Sequence, residues 1–218
     1  MAAYTIDLGL TKFERGITTV KDLTAWFAQH PQGGIAFCGR SNVGKSSLIN
    51  AIWGSKTAQT SKQPGRTQQI NVFAFFLKPT AGGKNKGPYY LYDLPGYGFA
   101  QVSKEMQQNW QTLIAAFFAQ AGPHVLLANL RDGRHPSEKA DLLFEKMCTN
   151  LQQPVLVVFN KMDKLRNQKE LAAFKQEKQN LQKRFAARGY FEVSAVEKSK
   201  TKELSQYLTA YLPETDLA

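Results

Sequence analysis

From Leu23 through Tyr92 the chain contains no aspartate or glutamate, so the eight cations of that stretch (Arg40, Lys45, Lys56, Lys62, Arg66, Lys78, Lys84 and Lys86) have no acidic neighbours in sequence. Cysteine is nearly absent. Cys38 falls inside an expected core strand and Cys148 near a helix end, and their spacing makes neither a disulfide framework nor a metal-ligand motif, so both read as small core residues. No apolar run approaches the length that spans a bilayer, and Met1 to Gly16 lacks the apolar block of a secretory signal; the expectation is a cytoplasmic protein without membrane contact. What remains is an ordinary globular composition of 218 residues, 43% hydrophobic and 21% charged, enough for one substantial core. The formal net charge is +11, and the segment from Asn160 to Ser205 adds 12 Lys/Arg against 6 Asp/Glu. Clustered positive charge of this size is the footprint of a polyanion binder, set against the plainer reading of a solvated basic surface.

The stretch Gly39-Arg40-Ser41-Asn42-Val43-Gly44-Lys45-Ser46 fits G-x-x-x-x-G-K-[ST] at every fixed position. Ile35-Ala36-Phe37-Cys38 before it has the length of a buried strand, and Leu48, Ile49 and Ile52 after it recur at helical spacing, which is the context a phosphate-binding loop needs. The two glycines let backbone amides turn inward around an anion. Lys45 supplies a point charge for phosphates, and Ser46 opens a helix whose positive dipole end faces them. A glycine turn that merely caps a helix is the bland alternative.

In chain order, Met1 to Gln32 has weak periodicity, anchored by Phe13 and by Leu23, Trp26 and Phe27, and reads as an extension (1–32) packed on a main domain (33–213), followed by a short tail (214–218). Gly54 to Thr67 is polar and aperiodic, a loop. Ile70–Leu77 is a strand, Lys78 to Pro88 a hairpin connection, and Tyr89–Leu94 a further strand ending in Asp93-Leu94-Pro95-Gly96. Met106, Trp110, Leu113, Ile114, Phe117 and Phe118 form one helix face. Val125–Ala128 and Val155–Phe159 are continuous apolar runs of the kind central parallel strands show, separated by a helix around Asp141 to Met147. The second delivers Asn160-Lys161-Met162-Asp163. A helix through Leu171, Phe174 and Leu181, a strand at Tyr190–Val193 leading to Ser194-Ala195, and a closing helix through Leu204, Leu208 and Tyr211 complete the pattern. Strands alternating with helices predict an α/β fold with a doubly wound, mostly parallel six-stranded sheet flanked by helices.

These motifs in this order resemble a translation-factor-type GTPase. The wording of Gly39 to Asn50, with Pro64-Gly65-Arg66-Thr67-Gln68 and Asp93-Leu94-Pro95-Gly96-Tyr97-Gly98, resembles the EngB/YihA family; Asp132-Gly133-Arg134-His135-Pro136 is similar to a further family segment. The resemblance implies a Ras-like G domain in a single-domain bacterial GTPase. It also implies a role in assembly of the large ribosomal subunit, through the subunit or its rRNA, a label of cell division or septation, and action as a monomer. Asn160, where many members carry Thr, and Val193-Ser194-Ala195 depart from the usual family wording.

Within that resemblance, the nucleotide contacts fall on Gly39, Arg40, Ser41, Asn42, Val43, Gly44, Lys45, Ser46 and Ser47; on Gly65, Arg66, Thr67, Gln68 and Gln69; on Asp93, Leu94, Pro95 and Gly96; on Asn160, Lys161, Met162 and Asp163; and on Val193, Ser194 and Ala195. Catalytic roles fall on Lys45, Thr67 and Asn42. Mg²⁺ takes hard oxygen ligands, for which Ser46, Thr67 and a water held by Asp93 are candidates beside the phosphates. Thr67 reaches such an ion only while a γ-phosphate is present, which makes Ser55–Gln68 and Gly96–Ala100 candidate switches. Asp163 accepts from guanine N1–H and N2–H₂, Asn160 bonds the purine edge and the Ala195 amide donates to O6. Adenine would leave the carboxylate unpaired at a cost of about 1–3 kcal/mol. Tyr97 stands where Ras-like enzymes carry a water-orienting glutamine, so hydrolysis is expected to be slow. Asn42 resembles the asparagine of GTPases that hold K⁺ and equally suits a plain turn. Two other classes stand beside the GTP switch: a cell-division factor acting on a protein partner, which leaves the basic charge unexplained, and a P-loop ATPase or kinase, which leaves Asn160 to Asp163 unexplained.

Overall fold

The computed structural model describes residues 4–54, 57–58, 69–97, 104–149 and 153–215, with the backbone alone at 104–107, 149, 198 and 214–215. Strands β1 (Tyr4–Ile6) and β2 (Lys12–Ile17) lead to helix α1 (Val20–Gln29), then β3 (Gly34–Gly39), α2 (Lys45–Trp53), β4 (Ile70–Pro79), β5 (Lys86–Asp93) and α3 (Lys104–Ala121). The second half runs β6 (Val125–Asp132), α4 (Lys139–Thr149), β7 (Val155–Asn160), α5 (Gln168–Arg184), β8 (Gly189–Glu192) and α6 (Lys198–Thr215), with a 3₁₀ turn at Met162–Lys164.

The sheet order is β1-β4-β5-β3-β6-β7-β8, with β2 also paired to β4. β3 pairs in parallel with β5 on one side and with β6 on the other, and β7 and β8 continue in parallel. Chain direction therefore splits left and right at β3, the point where doubly wound sheets open a crevice at their carboxyl edge. The five parallel strands deliver Gly39, Asp93, Asp132, Asn160 and the Glu192–Val193 step to that one edge.

Residues of each strand alternate between two cores. Ala36, Cys38, Tyr92, Leu127 and Val157 face α1, α3, α4 and α5, whereas Ile35, Phe37, Leu91, Leu126 and Val158 face α2 and α6. Both faces are covered, which is why β3, β7 and the first half of β6, Val125–Ala128, read as apolar runs with no polar alternation. α1 is set by its cap: the Thr19 hydroxyl oxygen accepts from the Asp22 N–H at 3.1 Å while its O–H donates to the Asp22 carboxylate at 2.7 Å. Its Trp26 then reaches the sheet, where the indole N–H donates to the Tyr92 hydroxyl at 3.2 Å.

The six predicted strands are present, and the N-terminal segment adds two more, giving eight rather than six among the described residues. β1 and β2 both run antiparallel along the outer edge of β4. Periodicity hides them because every residue of β2 except Ile17 is exposed, so no apolar alternation is written into Lys12–Ile17. Backbone pairing to an otherwise open edge forms these strands.

Candidate nucleotide-binding site

β3 ends at Gly39, and the turn that follows has the backbone a phosphate loop requires. Asn42 and Gly44 are both left-handed, at φ 61° and 96°, and α2 begins at Lys45. A Cβ on Gly39 would stand 2.7 Å from the Leu130 carbonyl, and one on Gly44 would stand 2.4 Å from the Asn160 amide nitrogen. Both glycines are thus fixed by close neighbours, and Gly44 by its left-handed backbone angle as well. The first turn of α2 carries Lys45, Ser46 and Ser47 at its positive end. The Lys45 ammonium rests on the Asp93 carboxylate, and both side chains are largely withdrawn from solvent. Asp93 ends β5 directly opposite Phe37 of β3, so the register puts its carboxylate beside the loop.

Ser46 and Asp93 offer the hard oxygen chemistry that suits Mg²⁺. Of the remaining predicted contacts, Gly65, Arg66, Thr67 and Gln68 lie outside the described residues, as do Lys56, Lys62 and Gly98. The Gln69 side chain is turned away, donating to the Asn71 carboxamide at 2.8 Å and lying against Gly16 of β2. Leu94 is buried, and its N–H donates to the Phe37 carbonyl at 3.0 Å. Pro95 follows it, and Gly96 lies against the loop, where an added Cβ would meet the Ser41 nitrogen at 3.2 Å.

The other end of the crevice is built at the tip of β7. Asn160, 1% exposed, donates from its amide nitrogen to the Val43 carbonyl at 3.0 Å and accepts from the Ala195 N–H at 3.2 Å. The sequence predicts purine contacts for both Asn160 and the Ala195 amide; here they bond each other and tie this loop to the phosphate loop. Lys161, left-handed at φ 64°, donates to the Asn42 carbonyl at 2.6 Å and to Asp132 at 3.0 Å. The Met162 N–H donates to the Val193 carbonyl at 3.2 Å. The Asp163 carboxylate accepts from the Ser194 hydroxyl at 2.7 Å, which with the neighbouring Lys164 holds it below the usual carboxylate range and therefore ionised. An ionised acceptor at this edge is what a guanine Watson–Crick face can satisfy.

The sequence of residues 34–161 matches the family described as 50S ribosome-binding GTPase. A probable GTP-binding protein EngB of Petrotoga mobilis is 35% identical over 185 residues, which cover 84% of this chain and 87% of that protein. The chain belongs to the EngB family. The EngB relative of Natranaerobius thermophilus is 46% identical over 136 residues, 62% of this chain and 65% of its own length, so this chain spans just under two thirds of that relative. A crystal structure of a probable GTP-binding protein EngB shares the fold, with a TM-score of 0.54 and 22% identity over 83% of this chain and 99% of that one. So does Era in complex with MgGDPNP and a segment of 16S ribosomal RNA, with a TM-score of 0.61 and 23% identity over 83% of this chain and 57% of that one.

Three site residues carry no motif of their own in the sequence, and a fourth, Asp132, opens the segment Asp132 to Pro136 to which the sequence assigns no role. In this EngB-family chain Asp132 joins the Asn160–Asp163 loop to the phosphate loop through Lys161 and is gripped by both arms of Arg134, at 2.9 and 2.6 Å. Burial opposes ionisation there, but the hydrogen bonds from Arg134 and Lys161 outweigh it and hold the Asp132 carboxyl well below its usual range. Asn129, Arg131 and Asp141 form a buried polar layer under the loop. The signal for them was polarity in the wrong place, since Asn129 and Arg131 interrupt a strand whose every residue is buried. Tyr97 points inward, stacked on Phe144 with ring centroids 5.1 Å apart, so its side chain cannot orient a water over the phosphates.

The basic surface is also smaller than the sequence implies. Of the cations that the count over Asn160–Ser205 includes on and near α5, Lys178 pairs with Glu192, Arg184 with Glu145 and Glu177, and Arg188 lies over the Tyr211 ring. Charge of the opposite sign was in reach across the fold, where sequence counting cannot see it. Lys175 and Lys183 remain exposed, as do Lys78, Lys84 and Lys86 on the β4–β5 hairpin.

Proposed function

We propose that this chain binds GTP and GDP with Mg²⁺, hydrolyses GTP slowly, and acts as a cytoplasmic switch in assembly of the large ribosomal subunit, with a family-level link to cell division and septation. The observation that carries this reading is the meeting, at one sheet edge, of a phosphate loop with an ionised Asp163 tied to Ser194, joined by Lys161 and Asn160. An ATPase or kinase has no use for that carboxylate. Residues 33–213 act as the G domain, with 1–32 as an extension upon it and 214–218 as a tail, and the unit functions as a monomer.

Lys45 would leave Asp93 to meet the phosphates, and Ser46, Thr67 and a water on Asp93 would hold Mg²⁺, which would supply positive charge against the phosphate oxygens. With Tyr97 turned inward, catalysis rests on electrostatic positioning by Lys45 and the loop amides, with Thr67 in place and K⁺ as a candidate auxiliary charge near Asn42. Asn42 is left-handed, as a turn asparagine is, and its side chain is exposed, as a monovalent-ion ligand needs. Support for an RNA partner comes from Lys78, Lys84 and Lys86, exposed together on one hairpin, and from the fold shared with an RNA-bound Era. No helix among the described residues is long and apolar enough to cross a membrane.

The test is co-sedimentation with large ribosomal subunits at several salt concentrations, with a non-hydrolysable GTP analogue and with GDP. Binding that strengthens with the analogue and weakens steeply with salt, by a log–log slope of about −0.7 to −0.9 per phosphate contact, supports the proposal. Binding indifferent to both favours a cell-division factor with a protein partner.

A further inference from the structure

One carboxylate outside the predicted site holds two of its elements at once. Asp141, on the first turn of α4, has a side chain with no solvent exposure. One of its oxygens accepts from the Tyr97 hydroxyl at 2.9 Å; the other accepts from Arg40 Nε at 2.9 Å and from the Glu138 N–H at 3.2 Å. Arg40 is the second residue of the phosphate loop, and Tyr97 directly follows Asp93-Leu94-Pro95-Gly96. The Tyr97 hydroxyl also accepts from the Asn129 amide at 2.9 Å, and the Arg40 guanidinium donates to the His135 carbonyl at 2.8 Å. The backbone repeats the link. The Tyr97 N–H donates to the Gly39 carbonyl and the Ser41 N–H to the Tyr97 carbonyl, both at 3.1 Å.

A buried ion pair is poor value as a stabiliser, because desolvation offsets most of its Coulomb gain and an apolar group of like volume often does as well. Its use is geometric, since a satisfied buried network fixes one arrangement. Here it fixes Gly96, the residue before Tyr97, against the loop at Ser41. We infer that Asp141 is a positioning residue that couples the phosphate loop to the Asp93–Gly96 segment through Arg40 and Tyr97, and thereby sets the preference for a nucleoside triphosphate over a diphosphate. The inference rests on the guanine-nucleotide reading above. A triphosphate engages both elements and a diphosphate the loop alone, so slackening the tie between them costs the triphosphate selectively.

The test measures affinity for a non-hydrolysable GTP analogue and for GDP in the unsubstituted protein, Tyr97→Phe, Asp141→Asn and the double variant, with melting temperature recorded for each. Tyr97→Phe keeps the ring stack on Phe144 and loses only the hydroxyl. It should lower analogue affinity roughly tenfold, the scale of one hydrogen bond to a charged group, and leave GDP affinity within about twofold. Asp141→Asn should lower the same ratio, and the double variant should lower it no further than the stronger single. Equal losses for both nucleotides, an unchanged ratio, or additive effects would overturn the coupling and leave Asp141 a purely structural group. If Asp141→Asn does not fold, Tyr97→Phe alone decides. Failure of the unsubstituted protein to bind either nucleotide would overturn the guanine reading and this inference with it.

Discussion

Gly44→Ala is the smallest change that separates a phosphate loop from a glycine turn of similar wording. The residue is left-handed at φ 96°, and alanine in that region costs about 1–2 kcal/mol. The added methyl would also stand 2.4 Å from the Asn160 amide nitrogen, inside any real contact distance. Asn160 must then give up its bond to the Val43 carbonyl, and a buried polar group left without its partner costs about 1–3 kcal/mol. The two components together predict a loss of about 2–5 kcal/mol, which for a chain of this size lowers the melting temperature by roughly 10 °C. GDP affinity should fall with it, by at least about tenfold, because the amides that ring the phosphate shift together. Calorimetry and equilibrium binding read both effects. In an Asn160→Ala background the steric component disappears, and Gly44→Ala should then cost only the backbone part, about 1–2 kcal/mol. Unchanged melting and binding in Gly44→Ala would mean that Gly44 does not lie left-handed against Asn160.

Three further outcomes are expected. Asp132→Asn should flatten the acid limb of the stability profile: its folded carboxyl titrates below the unfolded value near 4, so its stabilisation is present above about pH 4 and lost as pH falls through that range, which urea unfolding at pH 7, 5 and 3 measures. GTP turnover should be well below about one per second without a partner, faster in K⁺ than in Na⁺, and Asn42→Ala should erase the cation difference; matching rates in the unsubstituted protein would remove K⁺ from the site. Reversing charge with Lys84→Glu and Lys86→Glu should weaken binding to large subunits and reduce its salt slope by about 0.7 to 0.9 per lost contact, with nucleotide affinity untouched.

The sheet was legible in sequence wherever both faces are buried. β3, β6 and β7 announce themselves as apolar runs because helices cover them on each side, and the motifs at their carboxyl ends fall where such strands end. β1 and β2 were not legible, since backbone pairing to β4 forms them while most of their side chains face solvent. The same division holds at the site. Gly39, Gly44 and Lys45 follow from spacing, because backbone angle and charge at fixed offsets are local properties. Asp132 and Asp141 act through partners up to 101 residues away, Arg40 being the farthest, and no local pattern encodes such a pairing. Arg184 and Lys178 mislead for the same reason, as their counter-ions on α4 and β8 are neighbours only in the fold.

The proposed function stands or falls on what Asp163 recognises. Competition binding of GTP, XTP and ATP to the unsubstituted protein and to Asp163→Asn tests it directly. The carboxylate, held ionised by Ser194, accepts from guanine N–H groups, whereas asparagine presents a donor that suits the xanthine carbonyl. The expected result is a GTP preference that turns into an XTP preference, with ATP weak throughout. An unchanged GTP preference in Asp163→Asn would place the base elsewhere and contradict a guanine site at this sheet edge.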